Sequence, residues 1–599
     1  MPRILKHKKA IFVTLATSTI ILGLIGFSLS KDSTGLQIIN HTLGLFIFEW
    51  VDYEESLILD LATFLGVLTI FLGFLTLFFS KYFQAWQLNS IQKKPYNIII
   101  GLSEQNISLL KNNCPKESTI IIEKDKAHPE IEKFKTHGFS IIAGHTKQAL
   151  KSLNLSSMER CIISTENDRK NIALAKLLIS LIDNEHKQTI YICITNRDLN
   201  VLFKQDVIAS DKRKNITVVT YSLYENMAKS LFLKHSILGE KTKIINSKDD
   251  FNMILIGDSN LAIELVYHIS FLSTLPNENK LTLYLVGSNS NKFLHKIKKL
   301  FPKIEKIPHL TLEAKEINNE SLDFYEDKVW ESKNLTNILI ATTDEEKNLD
   351  IAINLQDTTY IRQIGHNQFK TKVLFALYHN LGLGEEIDKN KKAFHNFYTF
   401  GNISQTSTKE ILLNEELDLI AKLIHNNYRG EKDVKTEILY QNWLNTTAHK
   451  QDANKTQALH IDVKLLAFGL KRVNSKKSFD ELLKINEEIF YNLLKNNNTI
   501  KEQLKSYKSS YFPNSFENTL LDKVARAEHN RWNAFHYLNG WQYNTQRKDD
   551  AKEHDCLQPL EDFNRDEIKE TYQYDIASVY YMPQYLARGG FEMLHKIRH

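Results

Sequence analysis

The sequence predicts a two-helix membrane hairpin followed by two α/β Rossmann-like units and a mainly α C-terminal tandem region. Three observations carry this reading. Two long apolar runs fall within the first eighty residues; a strand–glycine–helix pattern opens at 96 and again at 251; and the word AKLIHNNY at 421–428 returns as ARAEHNRW at 525–532. A chain of 599 residues is too long for one hydrophobic core.

Composition narrows the class. Net charge is +5 from 76 basic and 71 acidic residues, a balance that gives no electrostatic footprint for nucleic acid. The four cysteines, Cys114, Cys161, Cys193 and Cys556, are scattered and form no CxxC pair. A disulfide scaffold and a cysteine zinc centre are therefore not expected, and no metal is assigned.

The hairpin comes first. Ala10 to Ser30 carries no charge and, at about 1.5 Å per residue, is long enough to cross a hydrocarbon core of roughly 30 Å. Ser56 to Ser80 is the second such run, with Asp60 near its start. The length of the first run and the lack of an A-x-A site favour a membrane helix over a cleaved signal peptide. Arg3, Lys6, Lys8 and Lys9 precede the first helix and Lys81, Lys93 and Lys94 follow the second, while Asp32, Glu49, Asp52, Glu54 and Glu55 outnumber Lys31 in the loop. The positive-inside rule then places both termini in the cytoplasm and the loop outside, an inner-membrane topology. Residues 36–50 are apolar for a loop and are expected to pack on the helices. Thr42-Leu43-Gly44 echoes the start of a potassium filter, but Phe46 stands where the second glycine belongs.

The first α/β unit, 95–245, opens on strand Tyr96–Ile100 and the turn Gly101-x-Ser103-x-x-Asn106, which keeps one glycine of the three in the dinucleotide fingerprint. A second strand ends in Glu123, placed to hold a ribose hydroxyl pair, with Asp125 as the alternative acid. Gly144, Thr165 and Asp168 close the following strands and complete the candidate cradle. The run IIIEKDK…HGFSIIAGHT…CIISTENDRKNIALA resembles the N-terminal (TrkA-N) domain of RCK regulators of potassium transport over roughly 96–240. That resemblance implies a Rossmann-like fold, nucleotide or ion binding and pairing into dimers. Two departures, the eroded glycines and His145 at a position where aspartate is common, argue against tight NAD binding.

The pattern repeats over 250–385. Gly257-x-Ser259-x-x-Ala262 lies between strand and helix, and NILIATTDEEKNLDIAINL parallels CIISTENDRKNIALAKLL. Here Gly287 and Ser288 follow the second strand where an acid would hold ribose, so a dinucleotide is not expected in this more degenerate RCK-like unit. Neither unit offers a catalytic arrangement, and an enzyme is not expected.

In the C-terminal region, Ala421, His425 and Tyr428 share a helical face, as do Ala525, His529 and Trp532. Trp443 follows the first word, and Trp541 and Tyr543 follow the second. ARAEHNRWNAFHYLNGWQY resembles the RyR repeat, which implies a second repeat at 515–599, a diverged first one at 410–475, a helical connector at 476–510, and pairing of the two about a pseudo-twofold. A small-ligand pocket would use His425, Tyr428, Trp443, His529, Arg531, Trp532, Trp541 and Tyr543, the rings stacking a base and Arg531 or His529 meeting a phosphate. The bland alternative makes the same histidines and tryptophans core residues.

The whole reads as a membrane-embedded, ligand-gated regulator linked to potassium or other ion transport, with a nucleotide or dinucleotide as its ligand. Its expected partners are the membrane, a small molecule and further copies of itself as a dimer or tetramer, with no nucleic acid. The alternative is a membrane-tethered nucleotide-signal effector, of phage-defence type, without a selective pore.

Overall fold

The computed structural model describes residues 8–29, 34–47, 56–112, 114–183, 186–204, 215–238, 250–276, 279–363, 371–379, 382–390, 394, 396–413, 416–430, 435–494, 520–563 and 565–595. Arg3, Lys6, Lys31, Asp32, Glu49, Asp52, Glu54 and Glu55, on which the orientation partly rests, lie outside these residues, as do 495–519 of the connector and second repeat. The chain forms two compact units, one of Met1–Asn106, Cys114–Ile192 and Arg213–Val219, the other of Ile107–Asn113, Cys193–Lys212 and Thr220–His599.

In the first unit two helices, Lys8–Leu29 and Leu57–Gln92, are long and apolar enough to cross a membrane. Only 22% of each apolar window is buried within the protein. That separates them from the apolar helix Asn260–Leu272, a core element whose side chains are nearly all buried. Thr42-Leu43-Gly44 lies in a third helix, Gly35–Gly44, so its carbonyls are directed along a helix and not into a filter. This helix packs on the first. Phe27 and His41 rings meet at 5.4 Å, and a Cβ on Gly23 would stand 2.9 Å from Thr42. Asp60 is exposed in the first turn of its helix.

The helix from Leu57 does not stop at the expected boundary near residue 80. It continues to Gln92, and after three intervening residues the chain enters β1, Tyr96–Ile100. Pro95 just before the strand cannot continue a helix. The junction is clamped. Ile91 is buried, Gln92 Oε1 accepts from Asn154 N at 2.6 Å, and Tyr96 Oη donates to Asn154 O at 2.9 Å.

The first sheet contains β1, β2 (Thr119–Glu123), β3 (Ser140–Ala143), β4 (Met158–Ile163), β5 (Gln188–Cys193) and β6 (Ile216–Tyr221), in the order β3-β2-β1-β4-β5-β6. The pairings of β1 with β2 and β4 are parallel, Ile98 facing Ile120 on one side and Cys161 on the other. Strands YNIII and TIIIE are continuous isoleucine runs because helices cover both faces of such a sheet. Strand order reverses between β1 and β4, the switch point at which doubly wound sheets bind ligands.

The second unit repeats this winding. β7 (Phe251–Ile256), β8 (Leu281–Val286), β9 (Leu310–Lys315), β10 (Leu335–Ile340), β11 (Lys372–Ala376) and β12 (Phe397–Phe400) run β12-β11-β10-β7-β8-β9, the same order read from the other edge. Its core continues into the C-terminal helices, where Leu459, Val463, Leu466, Ala534 and Leu538 join the sheet residues in one cluster.

The C-terminal region is mainly helical. Helices Leu419–Tyr428 and Ala448–Ala467 lead into β13, Leu470–Asn474; helices Leu520–Leu538, Arg565–Tyr580 and Met582–Arg588 lead into β16, Phe591–His595, which pairs antiparallel with β13. Short strands β14 (Gln542–Tyr543) and β15 (Glu553–His554) lie between. The connector begins as a helix, Phe479–Leu494.

Candidate functional site

The first cradle is built at the tips of β1, β2 and β4. Gly101 has φ +86°, and a Cβ there would stand 2.5 Å from Ser164 O. Only glycine permits this approach. Asn106, at the third fingerprint position, fills the space under the turn. Its Nδ2 donates to Gly101 O at 2.8 Å, Ile100 O at 3.2 Å and Ser164 O at 3.4 Å. Asn106 Oδ1 is buried with no hydrogen-bond partner among the described residues. Ser103 Oγ donates to Ser164 Oγ at 2.8 Å. Glu123 sits where the sequence puts it, at the end of β2. Its Oε2 accepts from Leu102 N at 2.6 Å and its Oε1 from Asp125 N at 2.8 Å. Each oxygen keeps a further lone pair for a hydroxyl. Gly144, with φ +140°, donates its N–H to Glu123 O. Asp125 caps its own turn through Ala127 N, and Asp168 begins the helix Asp168–Leu181. These residues fit the nucleoside end of a nucleotide. They fit a pyrophosphate less well, since Glu104 places a carboxylate in the first turn of the helix after the glycine loop, at the end whose dipole favours anions.

The second cradle repeats the framework and fills the crevice. A Cβ on Gly257 (φ +114°) would stand 2.5 Å from Ala341 O, matching Gly101 and Ser164. Ser259 Oγ accepts from Ala262 N and donates to Ala341 O at 2.6 Å. Thr165 N and Oγ1 donate to Asn171 Oδ1 at 2.9 and 2.6 Å; Thr342 N and Oγ1 donate to Asn348 Oδ1 at 2.9 and 2.7 Å. The threonine–asparagine clamp is thus the same in both copies. In this copy, however, Tyr378 Oη donates to Thr342 O at 2.6 Å, and Glu345 accepts from Tyr378 N and His379 N. The tyrosine occupies the strand tips, and no acid follows β8.

The C-terminal candidates separate into two groups. His425 contacts Thr446 Oγ1 at 2.6 Å and the edge of buried Trp443, and Tyr428 Oη donates to Gln457 at 3.2 Å. His529 is buried, with Nδ1 3.2 Å from Asp575 Oδ2 and Nε2 2.8 Å from Gln558 O. Arg531 is buried against Glu528, Thr456 Oγ1 and Ala453 O. These side chains are committed to the fold.

Trp532 and Trp541 instead join three histidines that the sequence did not single out. Trp541 stacks on His449 at 4.8 Å, Trp532 lies 3.9 Å from His536 and 4.9 Å from His554, and His449 Nε2 is 3.2 Å from His536 Nε2. Burial pushes His449 down to about 4 and His536 well below the usual imidazole range, so both are neutral near pH 7. Tyr543 is exposed on β14. His554, Asp555 and Cys556 offer ligand atoms within 4.8 Å of one another, but His554 Nδ1 already accepts from Cys556 N.

Residues 98–215 match the TrkA-N domain family, and residues 511–583 match the RyR domain family. No curated protein matches the chain.

Proposed function

We propose, for a chain that carries a TrkA-N domain and an RyR domain, a membrane-embedded, ligand-gated regulator of ion transport that senses a nucleotide-type small molecule. The TrkA-N domain is a Rossmann-type dinucleotide-binding domain, and its presence suggests a regulatory, transport-linked role. The observation that carries the reading is the unbroken helix Leu57–Gln92, which runs from the apolar segment to the start of the first sheet and is clamped there by Asn154. A shift at the strand tips would reach the apolar segment along β1 and then along this helix. Glu123 would hold ribose hydroxyls and the Gly101–Ser103 backbone would face the phosphate. The protein's own work is to bind and to transmit; no bond is made or broken. Oligomers, inner-membrane insertion with cytoplasmic termini, and potassium or another ion as the cargo belong to this same proposal.

A second reading is favoured by the helical state of Thr42-Leu43-Gly44. Without a filter, the hairpin would act as a tethered effector driven by the same sensor.

The test is thermal shift of the full chain in detergent against nucleotides, dinucleotides and cyclic oligonucleotides. A ligand at a hundredfold its Kd adds about 2.7 kcal/mol. The expected hit is abolished by Glu123→Ala and kept by Trp532→Ala. The reverse pattern moves the sensor to the RyR region, and no hit from any nucleotide refutes nucleotide sensing. Ion flux into liposomes with the bound ligand then separates pore from tether.

A further inference from the structure

A charged cavity in the second unit belongs to neither cradle. It has a volume of about 40 Å³ and is lined by the segments that follow β5 and β6, by helix Asn260–Leu272 and by helix Ala448–Ala467. Such a volume holds about three water molecules, or one solute of five or six heavy atoms.

The lining carries both signs of charge. Arg197 lies 3.4 Å above the Tyr267 ring and 3.1 Å from Glu264, and Lys229 Nζ is bonded to Glu225 at 2.7 Å and to Asp418 at 2.9 Å. These cations are well matched. Lys455 sits among Asp452 at 3.3 Å, Asp418 at 3.6 Å and Glu225 at 3.9 Å. Lys204 is different. Its side chain is only 12% exposed, and its one ion-pair partner among the described residues is Asp452 at 3.8 Å, beyond hydrogen-bond reach. Burial holds its ammonium below the usual lysine range. Asn200, one turn earlier on the same wall, is 8% exposed, and its Oδ1 is buried with no partner among the described residues. An unmatched donor and an unmatched acceptor therefore face one small cavity.

Charge selects the occupant. Arg197, Lys204, Lys229 and Lys455 are balanced by Glu225, Glu264, Asp418 and Asp452, so the network is neutral before anything enters. A phosphate or any other multivalent anion would leave uncompensated buried charge, which is costly. A solute with one positive and one negative group leaves the balance intact. We propose that the cavity binds a small zwitterionic α-amino acid of the size of glycine or alanine. Its carboxylate meets Lys204, and its ammonium meets Asn200 Oδ1 and the Asp452 carboxylate. The bound solute would tie helix Ala448–Ala467 to the segment after β5. This site is independent of the nucleotide reading and is tested with different ligands.

The test is isothermal calorimetry of the full chain in detergent with glycine and L-alanine, against acetate, methylammonium and inorganic phosphate. The expected result is saturable binding of the amino acids, with at least tenfold weaker binding of acetate and methylammonium. Lys204→Met and Asn200→Leu, each checked by thermal melting, should weaken amino-acid binding at least tenfold. Should either variant fail to fold, the wild-type comparison alone decides. Absence of amino-acid binding, tighter binding of phosphate than of glycine, or unchanged binding in both folded variants overturns the proposal. A nucleotide hit with no amino-acid binding sinks this site and leaves the nucleotide reading standing; the opposite result does the reverse.

Discussion

Replacing Glu528 by glutamine should cost the second unit about 3 kcal/mol. Glu528 is 2% exposed and takes Arg531 Nη2 at 2.7 Å on one oxygen and Lys464 Nζ at 2.7 Å on the other. Arg531 is on its own helix; Lys464 comes from helix Ala448–Ala467 and is wholly buried. Burial alone would raise this carboxyl, yet the two cations hold it down to about 2 from an ordinary 4.5. At about 1.36 kcal/mol per pKa unit, that difference corresponds to roughly 3.4 kcal/mol. Lys464 is pulled the opposite way, below the usual lysine range, because burial outweighs a carboxylate that it shares. The pair is therefore worth less than the carboxylate suggests, and the loss on substitution comes mainly from cations left buried and uncompensated, typically about 3–5 kcal/mol. The assay is urea unfolding in detergent followed by tryptophan fluorescence, with the slope checked for constancy so that a shifted midpoint means stability. Adding Lys464→Met to Glu528→Gln should recover about 1 kcal/mol or more. A single-variant loss under 1 kcal/mol, or no recovery in the double variant, refutes the argument.

Buried histidines and close-packed glycines give two further expected outcomes. Burial lowers His268 and His449 to about 4 and His460 to about 3, so these groups bind protons more readily unfolded than folded. Their stabilising contribution is complete above about pH 6.5 and is lost as pH falls toward 4, on the order of 3 kcal/mol for wholly buried His268; thermal melting should show Tm falling across that window, and His449→Gln should flatten part of the fall. An unchanged Tm from pH 7 to 4.5 contradicts this. Gly101→Ala and Gly257→Ala each force a Cβ within 2.5 Å of a carbonyl oxygen at positive φ, and each should cost about 2 kcal/mol or more in the same unfolding assay, whereas Gly138→Ala, with positive φ but open space, should cost about half as much.

The parts legible in the sequence were those written locally. Ile98–Ile100 and Ile120–Ile122 form unbroken apolar runs because both faces of a parallel sheet are covered, and the Thr165/Asn171 and Thr342/Asn348 pairs stand six residues apart in both copies. Strand β9, LTLEAK, lies at a sheet edge and alternates apolar with polar residues, unlike the continuous apolar runs of the inner strands, while β12 has only four residues, too few for a clear periodic signal. The helix Leu57–Gln92 outran its expected end because apolarity marks where a lipid boundary falls, not where a helix stops. His529 could be placed on a face but not given partners, since Asp575 and Gln558 are remote in the chain; Arg531 has Glu528 three residues away on its own helix, but its bond to Thr456 is equally remote. The Arg197–Asp452 cavity was invisible for the same reason. Lys229–Glu225 and Lys455–Asp452 are neighbours on their own helices, but Arg197 meets Glu264, Lys229 meets Asp418 and Lys204 meets Asp452 only through the fold.

The ribbon of β13 and β16 fastens two stretches of chain that are far apart in sequence. Leu470–Asn474 closes one half of the C-terminal region and finds its hydrogen bonds on Phe591–His595, which closes the other. The matched RyR segment ends at 583, before that second strand begins. A fragment cut there would leave Leu470–Asn474 with a bare edge open to pairing with any neighbour. The two halves of the C-terminal region therefore share one ribbon, in which each strand covers an edge that the other would leave bare.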